Sequence, residues 1–325
     1  MLLMNSYIIV TSISTERQLV FDFVNRVEIE STFKRLTDTA TITLPRKLSL
    51  QNENLKQLIK RGDLVTIQLG YDGNLNTEFT GFVRDVEVNE QAVIHCEDSM
   101  YLLKKKKSID QDKPNAWRAI DLEGLISRLV GDTVQWQVSH NFDIGAYRLT
   151  EDTVAKELDK LRERAGIFAY FRGTKLIVGF AYELDKASNK VAYKFQWNVL
   201  ENSLEYKDKE QTKIKIKAVN VKPDGSQTTQ DFGDEDGELR TLHYYNKADS
   251  GIKSLVEADL EKLKFTGYQG DILVLGEPYC SHGWIADLKD DVYPEKEGSY
   301  LIDKVVVSYD INGGYRRKIT LGGKV

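Results

Sequence analysis

One stretch of this sequence, residues 62–97, has a second copy at residues 283–323, and a repeat constrains the fold more than any other feature of the chain. A glycine, Gly62 or Gly283, opens each copy in front of a β-rich run. GFVRDV at 81–86 then aligns with YLIDKV at 300–305, and residues 92–96 align with 317–321. Short apolar runs between polar turns predict antiparallel meanders that close toward a barrel. We interpret the copies as an internal duplication; two unrelated meanders with similar turns are the alternative.

The residues before the first copy continue the strand periodicity. Strands are predicted at 7–13, at 18–30 with a bend near Asn25, and at 39–44, followed by a short helix at 55–60. These elements and the first copy predict one mostly antiparallel β-domain over residues 1–108. A run of four lysines at 104–107 is interpreted as a solvated linker at its edge, with a phosphate contact as the alternative.

The period changes after Pro114, where helical spacing begins. Ile120, Leu125 and Leu129 predict an amphipathic helix that ends at Gly131, and a strand follows at 134–138. A second helix is predicted at 154–165, with Thr150 as its N-cap, and a hairpin at 168–180. Residues 109–191 are therefore predicted to form a separate α+β domain.

Residues 192–325 are predicted to form a second β-domain with a helical insertion around 249–264. Strands are expected at 193–197, 211–222 and 271–276, and the acidic stretch 223–237 is expected to be a mobile loop. Lys213, Lys215 and Lys217 alternate with isoleucines, which places the three lysines on one strand face. That face is either a solvated edge or the lining of an aqueous channel, so these lysines are the candidate channel-lining residues.

Composition excludes several classes of protein. The net charge of −5 argues against a general nucleic-acid binder, which should be basic. Two cysteines, Cys96 and Cys280, are too few for a disulfide framework and are predicted to be buried thiols in strands. No apolar run has the length of a membrane span, and the apolar residues 1–10 are interpreted as a first strand.

No catalytic, cofactor or metal motif is found in the sequence. A G-x-S-x-G nucleophile motif is missing, and the acidic stretch 223–237 lacks EF-hand spacing. His95 with Cys96, and Cys280 with His282, each supply two ligands where zinc needs three or four. We therefore predict no catalytic residues, no cofactor and no metal, and a structural or binding role.

Several segments resemble one protein family. ESTFKRLTDTATITLP at 30–45, GDLVTIQLGY at 62–71 and FTGFVRDVEV at 79–88 resemble the first tube-like domain of contractile-tail baseplate hub proteins. These are the late-control-D-like proteins of Myo-type phages, prophages and related contractile injection systems. GEPYCSHGWIADLKD at 276–290 and GSYLIDKVVVSYDINGGYRRKITLGG at 298–323 resemble the second tube-like domain of the same family.

The resemblance implies a fold and a role. The fold is α+β, mainly β, with two similar tube-type antiparallel β-barrel-like domains flanking an α+β domain. The role is that of a non-enzymatic homotrimer whose pseudo-sixfold ring joins the hexameric tail tube to the trimeric spike around a central channel. The implied partners are the tail-tube protein, the spike protein and other baseplate proteins, with DNA only passing through and no membrane. The implied location is the virion tail baseplate, assembled in the bacterial host cytoplasm.

Two functions from other classes stay open at this point. A tail-associated cell-wall hydrolase, a glycosidase or a peptidase, needs a carboxylate pair or a metal cluster in a cleft of the 109–191 domain. A β-rich carbohydrate-binding module needs exposed aromatic platforms, for which the candidates are the tryptophans of the chain: Trp117, Trp136, Trp197 and Trp284.

Overall fold

The computed structural model describes residues 3–45, 55–180, 189–222, 224–245 and 249–325. The fold is mainly β with antiparallel sheets and a minority of helix, which confirms the predicted fold class. Three hydrophobic clusters form the interior: a large one among the β strands, one around two helices of the middle region, and a small one in a region inserted near residue 230. Within the described ranges, none of the helices combines the length and hydrophobicity of a membrane span.

Residues 4–105 form a β unit, termed unit 1, with a short terminal helix. Its elements are β1 (Met4–Thr11), β2 (Gln18–Phe21), β3 (Arg26–Thr32), β4 (Thr39–Leu44), α1 (Leu55–Leu58), β5 (Leu64–Tyr71), β6 (Asn74–Val88), β7 (Ala92–Glu97) and α2 (Met100–Lys105).

Two predictions for unit 1 are wrong in part. The single strand predicted at 18–30 is two strands, because β2 pairs with β1 whereas β3 pairs with β4. The chain does turn near Asn25, whose N–H donates to the Thr43 carbonyl (2.9 Å). The lysine run is not a plain linker either. Lys104 and Lys105 end helix α2, and Lys106 Nζ donates to the Val130 carbonyl (2.6 Å).

The middle unit follows, with β8 (Ala116–Asp121), α3 (Leu122–Val130), β9 (Trp136–Val138), β10 (Asp143–Arg148), α4 (Val154–Ala165), β11 (Ile167–Arg172) and β12 (Lys175–Phe180). Ile120 lies in β8 and not in the predicted helix, because Asp121 caps α3 by accepting from the Gly124 N–H. The cap of α4 is Thr153, not Thr150. Gly166 ends α4 in the left-handed conformation, as the sequence predicts.

Unit 2 is the second β unit, and a smaller inserted unit interrupts it. Unit 2 contains β13 (Lys190–Lys194) and β14 (Val199–Lys207), and after the inserted unit β18 (Gly267–Leu275), β19 (Ile285–Lys289), β20 (Gly298–Asp310) and β21 (Gly314–Lys324). The inserted unit contains β15 (Ile214–Val221), β16 (Gln227–Gly233), β17 (Glu238–Tyr245) and α5 (Asp249–Leu263). The helical insertion predicted around 249–264 is thus one element of a larger unit.

Three predictions in this half need correction. The stretch 223–237 is not simply a loop, because it contains β16, which pairs with β15 along seven positions. β13 begins at Lys190, before the predicted 193–197. Cys280 lies outside the strands, although it is buried like Cys96.

Thirteen of the described strands belong to one sheet, so units 1 and 2 are joined edge to edge. The main path runs β14-β18-β21-β20-β3-β4-β7-β6-β5-β1-β2, and β19 with β13 branches from β20. The middle and inserted units keep their own small sheets beside it. The predicted domain boundaries at 108 and 191 stay predictions.

Candidate assembly interface

The two copies seen in the sequence have the same hydrogen-bond pattern. In unit 1 the Gly62 N–H donates to the Val83 carbonyl (2.8 Å). The Val83 N–H in turn donates to the carbonyl of Asp63, the residue after Gly62 (2.8 Å). In unit 2 the Gly283 N–H donates to the Ile302 carbonyl (2.7 Å). The Ile302 N–H donates to the carbonyl of Trp284, the residue after Gly283 (2.8 Å). Both glycines have positive φ, +100° and +79°. Val83 and Ile302 are the residues that the sequence alignment pairs.

Each copy also carries a bulge at the equivalent position. The pairing of β6 with β7 shifts at Arg84, and the pairing of β20 with β21 shifts at Asp303. A bulge bends its strand and increases the local twist. The shared bulge lies at equivalent positions of β6 and β20, which supports the interpretation as a duplication.

Unit 2 is attached to unit 1 by direct pairing of β20 with β3, a contact termed the inner joint. Seven antiparallel pairs run from Lys304↔Thr32 to Asp310↔Arg26. On the outer face Lys304 Nζ lies 2.9 Å from Glu30 Oε1. On the core face, four apolar side chains are at most 3% exposed: Val27, Ile29, Val305 and Val307. The inner joint is thus a continuation of the hydrophobic core.

A buried ion pair adds a second link between the units. Arg317 of β21 donates from Nη1 to Glu78 Oε2 of β6 (2.9 Å), and the Tyr315 hydroxyl donates to Glu78 Oε1 (2.6 Å). The Arg317 side chain is 1% exposed and that of Glu78 is 2% exposed. Burial opposes the charge of Arg317, but its interactions with Glu78, Tyr315 and Cys280 together outweigh burial and raise the pKa of the guanidinium.

The equivalents of the two inner-joint strands each have one edge without a strand partner within the described ranges. β6, the counterpart of β20, pairs with β5 only as far as Phe82, so residues 85–88 have no partner on that side among the described strands. β14 pairs with β18 alone within the described ranges. It is mostly exposed, and the side chains of Leu200 and Tyr206 are 44% and 39% exposed. Open edges of this kind are ready to pair with another chain.

The pairing order identifies β14 as the counterpart of β3. β14 pairs with β18 and β18 with β21, just as β3 pairs with β4 and β4 with β7. Ile94 of β7 aligns with Ile319 of β21, and from these two residues the registers lead to Val27 in β3 and Asn202 in β14. Ile29 and Leu204 each lie two residues further along their strands. Ile29 is therefore equivalent to Leu204.

A cavity of 470 Å³ lies beside the core-facing side of β14. Asn202, Leu204 and Tyr206 line it from β14, and Tyr268 lines it from β18. The corresponding side of β3 is filled by Val305 and Val307 of β20. The cavity therefore marks a place that side chains of the neighbouring unit fill at the inner joint and that is left empty beside β14.

The candidate channel-lining lysines lie in the inserted unit, whose strands form a sheet separate from the large one. Lys213 precedes β15, and Lys215 and Lys217 point away from the buried isoleucines, as the alternation predicts. Lys213 Nζ contacts Asp236 Oδ2 (2.5 Å), and Lys215 Nζ contacts Asp231 Oδ2 (3.2 Å). These carboxylates offset part of the positive charge. The channel-lining role stays a prediction.

The residues considered for other functions are dispersed. Trp197 is 81% exposed, whereas the other three tryptophans are partly buried. Among the described residues, no cluster of three or more His, Cys, Asp or Glu side chains could hold a metal. Burial raises the pKa of the Cys96 thiol to about 12 and also raises that of Cys280.

His282 lies where three parts of the chain meet. Its ring is 4.8 Å from that of Tyr170 in the middle unit and 6.1 Å from that of Phe33 in unit 1. Arg172 donates to the His282 carbonyl, and neither ring nitrogen of His282 has a hydrogen-bond partner among the described residues. Burial, with a smaller contribution from Arg172, holds the pKa of His282 well below its usual value.

Two buried carboxyl groups lie next to the α2 start. The Asp38 N–H donates to Asp98 Oδ2 (3.0 Å), and the Ser31 hydroxyl donates to Asp38 Oδ2 (2.6 Å). Burial raises the pKa of Asp38 to about 6, and burial with the neighbouring Asp38 raises the pKa of Asp98 well above its usual value. The sequence carried no signal for this pair or for Glu78 with Arg317, because the partners are far apart along the chain.

Solved structures that match this fold include phage tail proteins and a type VI secretion component. The tail protein from Neisseria meningitidis MC58 matches with a TM-score of 0.66 at 13% identity, over 99% of this chain and 97% of that one. The prophage MuSo2 43 kDa tail protein from Shewanella oneidensis gives 0.64 at 16% identity, over 98% and 97%. The E. coli c3393 protein, a component of the type VI secretion system with structural similarity to T4 tail proteins gp27 and gp5, gives 0.55 at 9% identity, over 92% and 73%.

No protein family model and no curated protein matches the sequence. At these identities the structural matches show the fold, and they show it over nearly the whole chain. The chain has the fold of phage tail proteins and of a type VI secretion component.

Proposed function

We propose that this chain is a structural hub of a phage-like contractile tail, three copies of which form a pseudo-sixfold ring between the tail tube and the spike. One observation carries the proposal: each chain holds two equivalent β units joined by the inner joint, and among the described strands each counterpart of the joined strands has an unpaired edge. Such a unit is self-complementary head to tail, and head-to-tail contacts close into a ring when the rotation allows it.

The number three follows from symmetry. A hexameric tube presents six equivalent positions, and two similar units per chain fill six positions with three chains. A trimeric spike then meets one chain per subunit on the other side. The similarity to tail proteins and to the type VI component supports a place in such a machine.

The ring leaves a bore through which DNA or other cargo passes without a dedicated binding site. The net charge of −5 is consistent with weak retention of phosphates. If Lys213, Lys215 and Lys217 line the bore, their ion pairs with Asp236 and Asp231 moderate the local charge. We assign the chain no enzymatic activity and place it in the virion baseplate, in contact with the tail-tube, spike and other baseplate proteins.

The test is the mass in solution, measured by light scattering after size-exclusion chromatography over a range of concentrations, with and without the spike protein. We expect three times 37.1 kDa in at least the sample that contains spike, after subtraction of the spike mass. Electron microscopy of that species should show an annulus with six similar lobes. A chain that stays monomeric in every sample contradicts the proposal.

A further inference from the structure

We propose that residues 85–88 of β6 in one copy pair with the open edge of β14 in the next copy, in the register of the inner joint. This outer joint rests on the proposed function and specifies its contact. The partner is a second copy of this chain, because the two open edges are the counterparts of strands that already pair within the chain.

The register can be written down from the inner joint. Val307 pairs with Ile29 there, and their equivalents are Val88 and Leu204. Successive positions then give four antiparallel pairs: Asp85↔Lys207, Val86↔Tyr206, Glu87↔Glu205 and Val88↔Leu204. The pairing stops at Val88 because the β6–β7 hairpin turns at 89–91, whereas β20 continues to Asp310. The outer joint is therefore shorter than the inner one.

The core face of this register is apolar on both sides. Val86 and Val88 lie against the core of unit 1, and Leu204 and Tyr268 lie against that of unit 2. Pairing brings the two valines over Leu204 and the 39%-exposed Tyr206, at the mouth of the 470 Å³ cavity. The cavity next to β14 is thus the place where the next copy supplies the missing core.

The outer face has partly complementary charge. Lys207 lies opposite Asp85 and diagonal to Glu87, and in the isolated chain its nearest carboxylate is Glu205, at 3.8 Å. In the inner joint Lys304 and Glu30 form an ion pair along the other diagonal, at 2.9 Å, and the equivalents of these two residues, Asp85 and Glu205, carry like charge. The carboxylates of Glu87 and Glu205 lie opposite each other and repel. The positive charge of Lys207, two residues along β14, offsets part of this repulsion.

Disulfide trapping tests the register. Glu87→Cys with Glu205→Cys places two exposed thiols directly opposite each other, at the Cα separation that a disulfide needs. Oxidation should give covalently linked oligomers up to the trimer on a non-reducing gel. Glu87→Cys with Ser203→Cys, displaced by two residues, is the matched control and should link at least about tenfold more slowly. Cys96 and Cys280 are buried and do not compete.

Charge exchange gives an independent reading. Lys207→Glu should raise the protein concentration at which half of the chains are assembled by about tenfold or more. Adding Asp85→Lys should bring that concentration back to the wild-type value. The outer joint is wrong if light scattering shows a trimer but the cysteines at 87 and 205 form a disulfide no faster than the control pair. In that case the hub proposal still stands. A chain that stays monomeric even with the spike overturns both.

Discussion

Units 1 and 2 share their middle but differ at their ends. Both have the glycine at the start of the first strand, the bulge in the long strand and the same three-strand meander. In unit 1 a two-residue turn, Asp72 and Gly73, connects β5 to β6, and β1 pairs antiparallel to β5. In unit 2 residues 290–297 connect β19 to β20, and β13 pairs parallel to β19.

This difference shows which parts of the two copies keep the same backbone geometry. The conserved geometry surrounds the strands that form the inner joint and, in our proposal, the outer joint. The strand ends and the flanking strands β1 and β13 take no part in either joint, so they are free to differ. The two joints also differ, because the Glu78–Arg317 pair supports the inner joint alone. In unit 1 the position of Arg317 is occupied by Ala92.

Removing one partner of that ion pair should have the largest effect. Arg317→Met leaves Glu78 buried without its cation and should lower the free energy of unfolding by about 3–5 kcal/mol. Lys304→Met, which breaks the half-exposed pair of the inner joint, should cost less than about 1 kcal/mol. Urea denaturation measures both. Equal losses would mean that the buried pair adds nothing to the link between the units.

The equivalence of the two glycines can be tested next. Gly62→Ala and Gly283→Ala each force a side chain into a positive-φ position, which should cost about 1–3 kcal/mol. The added Cβ lies 3.2 Å from the Tyr101 hydroxyl in the first case and 2.9 Å from Arg172 Nη2 in the second. Gly323→Ala, where a Cβ meets nothing within 4 Å, is the control. Thermal and urea unfolding should show similar losses for the first two variants, and a loss in only one of them would break the equivalence.

The smallest expected effect is on the pH dependence of the unfolding free energy. It comes from the residue that precedes Gly62 in unit 1 and Gly283 in unit 2, which differs between the two units. This residue is the exposed Arg61 in unit 1 and the buried His282 in unit 2. The folded state holds the pKa of His282 below its usual 6.5, so its contribution to stability is present above that pH and is lost as the pH falls. The loss is at most about 1.4 kcal/mol per pH unit.

We therefore expect His282→Gln to weaken the fall in unfolding free energy between pH 7 and pH 5, with a variant of an exposed histidine, His140→Gln, measured beside it as the control. Asp38, with a pKa raised to about 6, acts with the opposite sign, since its contribution is lost as the pH rises from 3.8 to about 6. Asp38 is present in the wild type and in both variants, so its contribution cancels when their unfolding free energies are compared. A wild-type pH dependence in His282→Gln would show that this histidine titrates normally.

The sequence predicted best where local pattern and structure coincide. The alignment of Val83 with Ile302 holds to the level of single hydrogen bonds, and the helix at 154–165 has its predicted bounds. The prediction failed for β16, because its side chains are mostly exposed and leave no apolar alternation to detect. It also could not show that β20 pairs with β3, since that contact joins residues that are far apart along the chain.

The inner joint has a geometric consequence for copy number. Every chain carries one finished joint, so the angle between neighbouring units is set before any two chains meet. In the proposed ring an outer joint of the same register repeats that angle. A ring with a different number of chains would have to alternate two unequal angles around its circumference. Copy number is then decided by curvature within a single chain and not by how many chains are supplied.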